Sequence, residues 1–227
     1  MCGRFTLTTP AEILAEAFGL DAPPDVQPRY NIAPSQPVAL VRHPMAGSRR
    51  AELVRWGLVP AWTGRPWSRP PMINARADSA ARSPAFRAAF TGRRCLILAD
   101  GFYEWRADPG ARSKQPFFIH MADRSPFAFA GLWEPPAPGP AAEETCAILT
   151  TRPNTLVERI HDRMPVILDP RHYDRWLDPT PQDQADLEAM LVPFPAEAMT
   201  AFPVSRLVGN PRNDTPACTE PLPSPTT

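Results

Sequence analysis

The second residue of the chain, Cys2, offers the most specific chemistry in the sequence. Methionine aminopeptidase removes Met1 when the next side chain is small, and Cys2 would then carry a free α-amine beside its thiol. An α-amine has a pKa near ~7.7–8.0 and a cysteine thiol near ~8.5, so we expect both to be partly nucleophilic at neutral pH. An aldehyde can condense with the amine to a Schiff base, which the thiol closes into a thiazolidine. An amide can instead be attacked by the thiol, with the amine as base. The alternative is that Cys2 is only a small buried residue.

Two further residues could move protons. Glu104 stands between Tyr103 and Trp105, where desolvation is expected to raise its pKa toward the range of a general acid. His161 can exchange a proton at physiological pH, and Arg163 two residues later could hold an anion. The alternatives are an exposed glutamate on an alternating strand and a structural histidine.

A third candidate segment is 73–78, in which Asn74 and Arg76 alternate with small residues. This pattern leaves room for a ligand beside two polar side chains. A plain turn gives a similar string, so the segment is ambiguous when it is considered alone.

The elements that must position these residues are short. A helix is predicted from the N-cap Thr9, with Pro10 at its first position, to Gly19, and a second from Ser83 to Gly92. Two more helices are expected to start at Asp169-Pro170 and Thr180-Pro181. Segments rich in β-formers predict strands, and the loops between them are too short for helical crossovers, which favours antiparallel pairing. These strands are 39–42, 95–98, 117–120, 127–132, 146–150 and 166–168. The predicted fold class is therefore α+β, with mainly antiparallel sheets and peripheral helices.

Composition limits the possible classes of protein. A chain of 227 residues suits one domain, which we place at 1–214, followed by a proline-rich tail at 215–227 that need not be ordered. The four cysteines lie far apart without C-x-x-C spacing, so we expect neither a metal site nor a cofactor. No apolar run is long enough to span a membrane and no signal-peptide pattern is present, which indicates a cytoplasmic protein with free thiols.

The net charge of zero conceals an uneven distribution. Residues 42–94 contain eleven arginines and two acids, which gives +9, whereas 95–227 carries −7. Arginine forms bidentate contacts with phosphate, so the stretch 42–94 predicts a surface for a polyanion. A GC-rich genome explains the preference for arginine over lysine but not the near absence of acids.

Six ordered segments together resemble the SRAP family, the abasic-site processing proteins first described as SOS-response-associated peptidases. The similarity covers roughly residues 2–168, and Gly209-Asn210 matches the closing family segment. The six segments are M-C-G-R-F at 1–5, R-Y-N-I-A-P at 29–34, R-W-G-L-V-P-A-W at 55–62, N-A-R-A-D at 74–78, G-F-Y-E-W at 101–105 and H-D-R-M-P at 161–165.

The resemblance implies a function and assigns roles. Family members bind single-stranded DNA and react with the open-chain aldehyde of an abasic site, so Cys2 would form a thiazolidine crosslink that shields the lesion. Asn74 would orient the amine or the sugar, Glu104 would shuttle protons, and His161 would complete the relay. The residues that would contact DNA are Arg4, Trp67, Arg76 and Arg163, with Trp67 stacking on a flanking base. The resemblance also implies a monomer near the nucleoid, with possible lyase activity and removal of its own Met1.

Two rival functions remain open on the sequence. The first is an N-terminal-nucleophile amidohydrolase or peptidase, which Cys2 alone permits. The second is a single-strand-binding module without catalysis, in which Cys2 is incidental. Adduct formation with abasic DNA, and its loss in Cys2→Ala, separates these from the leading hypothesis.

Overall fold

Two β-sheets form most of the regular structure in the computed structural model, which describes residues 2–43, 49–61, 70–110, 112–137 and 143–223. The strands in chain order are β1 (Phe5–Leu7), β2 (Arg29–Ile32), β3 (Pro37–Arg42), β4 (Ala51–Trp56), β5 (Asn74–Arg76), β6 (Arg94–Ala99), β7 (Gly101–Arg106), β8 (Gln115–Met121), β9 (Phe127–Glu134), β10 (Thr145–Thr151), β11 (Met164–Pro165) and β12 (Met199–Pro203). The helices are α1 (Ala11–Phe18), α2 (Arg87–Gly92), α3 (Tyr173–Leu177) and α4 (Gln184–Ala189). The predicted α+β class with mainly antiparallel sheets and peripheral helices is confirmed.

The first sheet has the strand order β12-β8-β7-β1-β2, and every pairing in it is antiparallel. Strand β1 lies beside β7, with Phe5 opposite Phe102 and Thr6 opposite Gly101. A Cβ on Gly101 would lie 2.3 Å from the ring of Phe118, so only glycine allows this close approach. This pairing carries the first residues of the chain along the strand that bears Glu104.

The second sheet closes into a ring because β9 pairs with both β6 and β10. The ring order is β10-β4-β3-β6-β9, with β5 and β11 added beside β10. Two pairings are parallel, β10 with β4 and β10 with β5. Strand β4 pairs with β10 as far as Trp56. After Trp56 the chain moves away from β10, forms a bridge between Leu58 and Met72, and then pairs with β10 again as strand β5. This detour brings Asn74 and Arg76 next to the end of β10.

Phe5 joins the two sheets at their shared core. Its ring contacts Trp56 of the second sheet at 5.2 Å and Phe129 at 5.6 Å, both edge to face. All three side chains are fully buried. Burial of each such side chain stabilises the fold by about 1.5–3 kcal/mol, so the start of the chain is held firmly in place.

The helix predictions were right in position but wrong in several starting points. Helix α1 ends at Gly19 in the left-handed conformation as predicted, but its N-cap is Pro10 rather than Thr9. The Thr9 hydroxyl instead donates to the Asp100 carboxylate, which draws it away from the helix. Helix α2 starts at Arg87 after turns from Ser83. Asp169 caps the turn before α3 as expected, whereas α4 starts at Gln184 and is capped by Asp183, three residues beyond the predicted start.

The predicted strand at 166–168 was also displaced. The short strand is Met164–Pro165, and Ile167 makes only an isolated bridge to Phe129. Val166 donates its N–H to Leu149 while its carbonyl accepts from Ala130, so the segment bridges two strands of the ring. Such alternating partners cannot be read from the apolar run alone.

Residues 215–223 pack on the domain, which differs from the disordered tail expected from their proline content. Pro216–Cys218 forms a 3-10 turn in which Cys218 is buried, and Pro221 bridges to Val204. Leu222 also donates its N–H to the Pro203 carbonyl. Residues 224–227 lie outside the described part of the chain.

Candidate active site

Glu104 and His161 come together although 57 positions separate them in the chain. Glu104 lies on β7 and is 1% exposed, and His161 lies between a 3-10 turn and β11. His161 Nε2 is 3.9 Å from Glu104 Oε2. Burial raises the pKa of Glu104 from 4.5 to about 7, so the carboxyl can both give and take a proton near neutral pH. The expected desolvation of this residue between aromatics is thus present.

Cys2 is fully buried beside this carboxyl. Burial raises the pKa of its thiol well above the ordinary value, and the charge of Glu104 raises it further. In the chain that still carries Met1, burial therefore works against the expected partial ionisation of this thiol. The thiol is present as S–H, so it needs a base at the moment it reacts. Glu104 is the carboxylate whose charge acts on it.

The backbone N–H of Arg163 donates to His161 Nδ1 over 3.1 Å. An accepting Nδ1 places the proton of the neutral ring on Nε2, which is the nitrogen nearest Glu104. The Asp162 carboxylate lies 2.9 Å from Nδ1 and competes for the same atom when the ring is protonated. We assign the Nε2–H form because the backbone N–H cannot act as an acceptor, while the Asp162 side chain is 88% exposed to water. Burial also lowers the pKa of His161, which favours the neutral ring.

The Asn74 side chain is the least satisfied polar group of the candidate site. Neither its Oδ1 nor its Nδ2 has a hydrogen-bond partner among the residues that the structure describes, and both atoms are shielded from water. An unpaired buried amide costs about 1–3 kcal/mol. Trp56 ties this position to the core, because its Nε1 donates to the Ile73 carbonyl at 2.8 Å while its ring contacts Phe5. Asn74 is therefore held rigidly with two free hydrogen-bonding atoms.

Arg163 is largely committed to contacts within the protein. Its Nη2 donates to the carbonyl and hydroxyl of Thr150 at 2.6 and 3.1 Å, and its Nη1 lies 3.6 Å from the Asp78 carboxylate. Thr150 is 1% exposed and pairs with Arg76 on β5 and with Pro165 on β11. Sequence reasoning missed Thr150, which connects β5 to the segment carrying His161. Two adjacent threonines at the end of a strand were the available signal.

Arg4 forms internal contacts as well. Its guanidinium donates to Asn31 Oδ1 at 3.1 Å and to the carbonyls of Val208 and Gly209. Asn31 is fully buried and donates to three carbonyls of the same closing segment. These bonds fix residues 206–214 against the start of the chain. The arrangement assigns Arg4 a structural role that its predicted phosphate contact did not include.

Arg76 differs from the other predicted DNA-contacting residues in its surroundings. It is exposed, and its side chain makes no hydrogen bond or ion pair with any residue that the structure describes. Alternation along β5 places it on the same side of the strand as Asn74, with buried Ala75 on the other. Trp67 lies outside the described residues.

Five of the eleven arginines in the stretch 42–94 pair with acids from the C-terminal part of the chain. Arg42 pairs with Glu144. Within the described residues, Arg94 of the same stretch has no such acid partner; it is buried and donates to four backbone carbonyls. The other pairs are Arg49 with Asp174, Arg55 with Glu143, Arg82 with Glu188 and Arg93 with Glu134. These pairs reduce the positive charge that the described part of the stretch presents to a polyanion, and Arg65 and Arg69 lie outside the described residues.

The described residues contain neither a cluster of metal-ligating side chains nor a membrane-spanning helix. No group of three or more His, Cys, Asp or Glu side chains there is arranged to hold a metal ion. Within the same residues, none of the helices has the length and apolar character needed to cross a membrane.

The chain matches a family model described as SOS response associated peptidase (SRAP) over residues 1–211. The abasic site processing protein YoqW of Bacillus subtilis (strain 168) is 41% identical over 227 residues, which cover 97% of this chain and 99% of that protein. The abasic site processing protein YedK of Escherichia coli (strain K12) is 34% identical over 223 residues, with 94% and 96% covered. A solved structure from Bacteroides thetaiotaomicron has a TM-score of 0.83 at 24% identity and covers 97% of this chain and 100% of that one. At that identity the structural match speaks for the fold alone.

Proposed function

The chain belongs to the SOS response associated peptidase (SRAP) family, and we propose that it processes abasic sites in single-stranded DNA. The proposed product is a covalent thiazolidine between Cys2 and the open-chain aldehyde of the abasic sugar. The observation that carries this proposal is the buried Glu104 carboxyl, which has a pKa of about 7, lies 3.9 Å from His161 and acts on the Cys2 thiol through its charge. A proton donor and acceptor of this kind is what imine formation requires.

The reaction begins once Met1 has been removed and Cys2 carries a free α-amine. The amine attacks the aldehyde carbon, and protonated Glu104 supplies the proton that the carbonyl oxygen takes up. One water leaves with the Glu104 proton and one amine proton, which gives the protonated imine. The S–H proton then passes to the Glu104 carboxylate as sulfur bonds to the same carbon, so that Glu104 ends protonated and the nitrogen keeps its remaining proton. The sum is one aldehyde and one aminothiol giving one thiazolidine and one water.

The raised pKa of the Cys2 thiol fits this order of events. A neutral thiol does not compete with the amine for the aldehyde, and it becomes nucleophilic only when Glu104 has released its first proton. The same property argues against the rival amidohydrolase, because hydrolysis of an amide in trans needs the thiolate as the first nucleophile. We propose that any peptidase activity of the protein is limited to the removal of its own Met1.

His161 and Asn74 complete the proposed machinery. His161 Nε2–H exchanges a proton with Glu104 across 3.9 Å, through one intervening water or a small rotation, while the sugar ring opens. The amide of Asn74 holds the amine or a sugar hydroxyl, which satisfies its two unpaired atoms. A Schiff base at this carbon also permits β-elimination, so we propose a lyase activity as a side reaction.

DNA contacts are proposed at four positions that do not contribute equally. Arg76 is exposed and free to bind a phosphate, and Trp67 is proposed to stack on a base beside the lesion. Arg163 and Arg4 can reach a phosphate only with the donors left over from their internal bonds. We propose a monomer that acts on DNA at the nucleoid.

The test uses mature protein whose loss of Met1 is verified by intact mass. It is incubated with a single-stranded oligonucleotide carrying one abasic site, and adducts are separated under denaturing conditions. We expect a stable adduct with the wild type and none with an oligonucleotide whose abasic aldehyde has been reduced by borohydride. The matched variant Cys2→Ser keeps the amine, so it should give an adduct only when the imine is trapped by reduction. A wild type that lacks Met1 and forms no adduct would refute the proposal.

A further inference from the structure

One side of β5 presents two polar side chains in a defined spacing. Within the described part of the chain, the Asn74 amide has no hydrogen-bond partner and the Arg76 side chain has no hydrogen bond or ion pair. Residues two apart on a strand lie about 7 Å apart on the same side. This distance is comparable to the length of a short carbon chain between a carbonyl and a terminal phosphate. The strand thus offers an amide for oxygen atoms and a guanidinium for a phosphate.

The groups that form bonds in the proposed reaction act on one aldehyde carbon only. They are the α-amine and thiol of Cys2, the Glu104 carboxyl and the His161 ring, all buried or half-buried at one point in the fold. None of these groups requires a polynucleotide. Five of the eleven arginines in 42–94 are paired with acids, whereas Arg76, two residues from Asn74 on the same strand, is exposed.

We propose that this site has a second activity, the capture of free open-chain aldose phosphates as thiazolidines on Cys2. The inference rests on the proposed function in one respect, which is that it needs the same free α-amine. The amine and aldehyde lose one water to form an imine, and the S–H bond then adds across that C=N bond. No oxidant or reductant takes part. The phosphate lies on Arg76 and a hydroxyl of the sugar on Asn74.

This activity would regulate the protein as well as extend its substrates. The thiazolidine consumes both the amine and the thiol of Cys2, so a molecule that carries a sugar phosphate cannot react with DNA. Aldose phosphates that cannot close a furanose ring present more free aldehyde and are captured faster.

The experiment follows intact mass after incubation of the mature protein with 2-deoxyribose 5-phosphate or with 2-deoxyribose. We expect an adduct equal to the sugar less one water, formed roughly tenfold faster with the phosphate because of one charge-assisted contact. Arg76→Gln should abolish that preference without slowing the unphosphorylated sugar. Arg212→Gln removes an exposed arginine of the loop 211–213 and should leave the preference intact. The peptide Cys-Gly-Arg-Phe gives the intrinsic rate of the aminothiol.

Abasic single-stranded DNA is tested in parallel, so that the two proposals can fail separately. Adducts with DNA but none with 2-deoxyribose 5-phosphate would overturn this inference and leave the proposed function standing. A rate equal to that of the peptide, or a phosphate preference that survives Arg76→Gln, would also overturn it. Adducts with the sugar phosphate but not with DNA would support it against the proposed function. Prior loading with the sugar phosphate should block crosslinking to DNA, and unchanged crosslinking would count against capture at Cys2.

Discussion

Replacement of Glu104 by glutamine should change how the stability of the protein depends on pH. Burial raises the pKa of this carboxyl from 4.5 to about 7, so the folded protein holds a proton there that the unfolded chain has already released. The stabilisation that this proton provides is complete below pH ~4.5 and is lost as pH rises through about 7. Glutamine stays neutral at every pH and removes this dependence.

The size of the effect follows from the two pKa values. The interval between 4.5 and about 7 corresponds to about 3 kcal/mol. Between pH 4 and pH 8 we therefore expect the unfolding free energy of Glu104→Gln, relative to wild type, to rise by roughly 3 kcal/mol. The variant should nevertheless lose crosslinking activity, since the amide can neither give nor accept the proton.

Urea unfolding of both proteins at intervals from pH 4 to pH 8 measures this difference. His161 lies 3.9 Å away and its pKa is lowered, so its titration acts in the opposite direction, with stability lost as pH falls. Repeating the comparison with and without Glu104→Gln in a His161→Gln background separates the contribution of Glu104 to the pH dependence from that of His161. Glu158→Gln, which removes an exposed carboxylate near the site, is the control. A difference that stays constant with pH, or that shrinks as pH rises, would refute a buried carboxyl of raised pKa at this position.

Three further outcomes test other contacts. Asn74→Leu should raise the unfolding free energy by about 1 kcal/mol in urea titrations, because two unpaired buried atoms are removed, while the adduct with abasic DNA is lost. Arg76→Gln should weaken binding of undamaged single-stranded DNA and reduce the slope of log affinity against log salt by about 0.7, as measured by fluorescence anisotropy. Arg212→Gln is its control, and equal slopes for the two variants would contradict the assignment. Gly101→Ala should lower the thermal midpoint by the equivalent of about 1–3 kcal/mol, because its methyl group meets Phe118 at 2.3 Å; an unchanged midpoint would show that the ring moves aside freely.

The distribution of charge shows how tertiary contacts change the meaning of a sequence pattern. Counted along the chain, 42–94 is a basic block and 95–227 an acidic one. In the fold, Arg49 pairs with Asp174 and Arg93 with Glu134, so the two blocks neutralise each other in part. The Asp174 side chain is exposed, and a surface pair of this type contributes typically about 0–1 kcal/mol. Glu134 is buried, so its charge depends on the contact with Arg93. Each paired arginine is less available to bind an anion.

Local sequence signals were sufficient for several elements of the fold. Gly19 ends α1 in the left-handed conformation because glycine has no Cβ to clash, and the β-rich runs at 95–98 and 127–132 form β6 and β9. The strand bearing Asn74 and the return of β5 beside β10 were missed. A three-residue strand has too little periodicity to be recognised, and its pairing depends on a partner more than 70 residues away.

The sequence by itself determined the family and the candidate residues, among them the Cys2 thiol beside the start of the chain. These depend on residue identity and order, which the chain carries directly. Only the tertiary structure decided that the Cys2 thiol is un-ionised, that Glu104 has a pKa near 7 and that Arg4 holds the closing segment instead of standing free. Each of these properties depends on burial or on a partner distant in sequence. The desolvation of a charge and the pairing of a donor are set by what surrounds a residue in space.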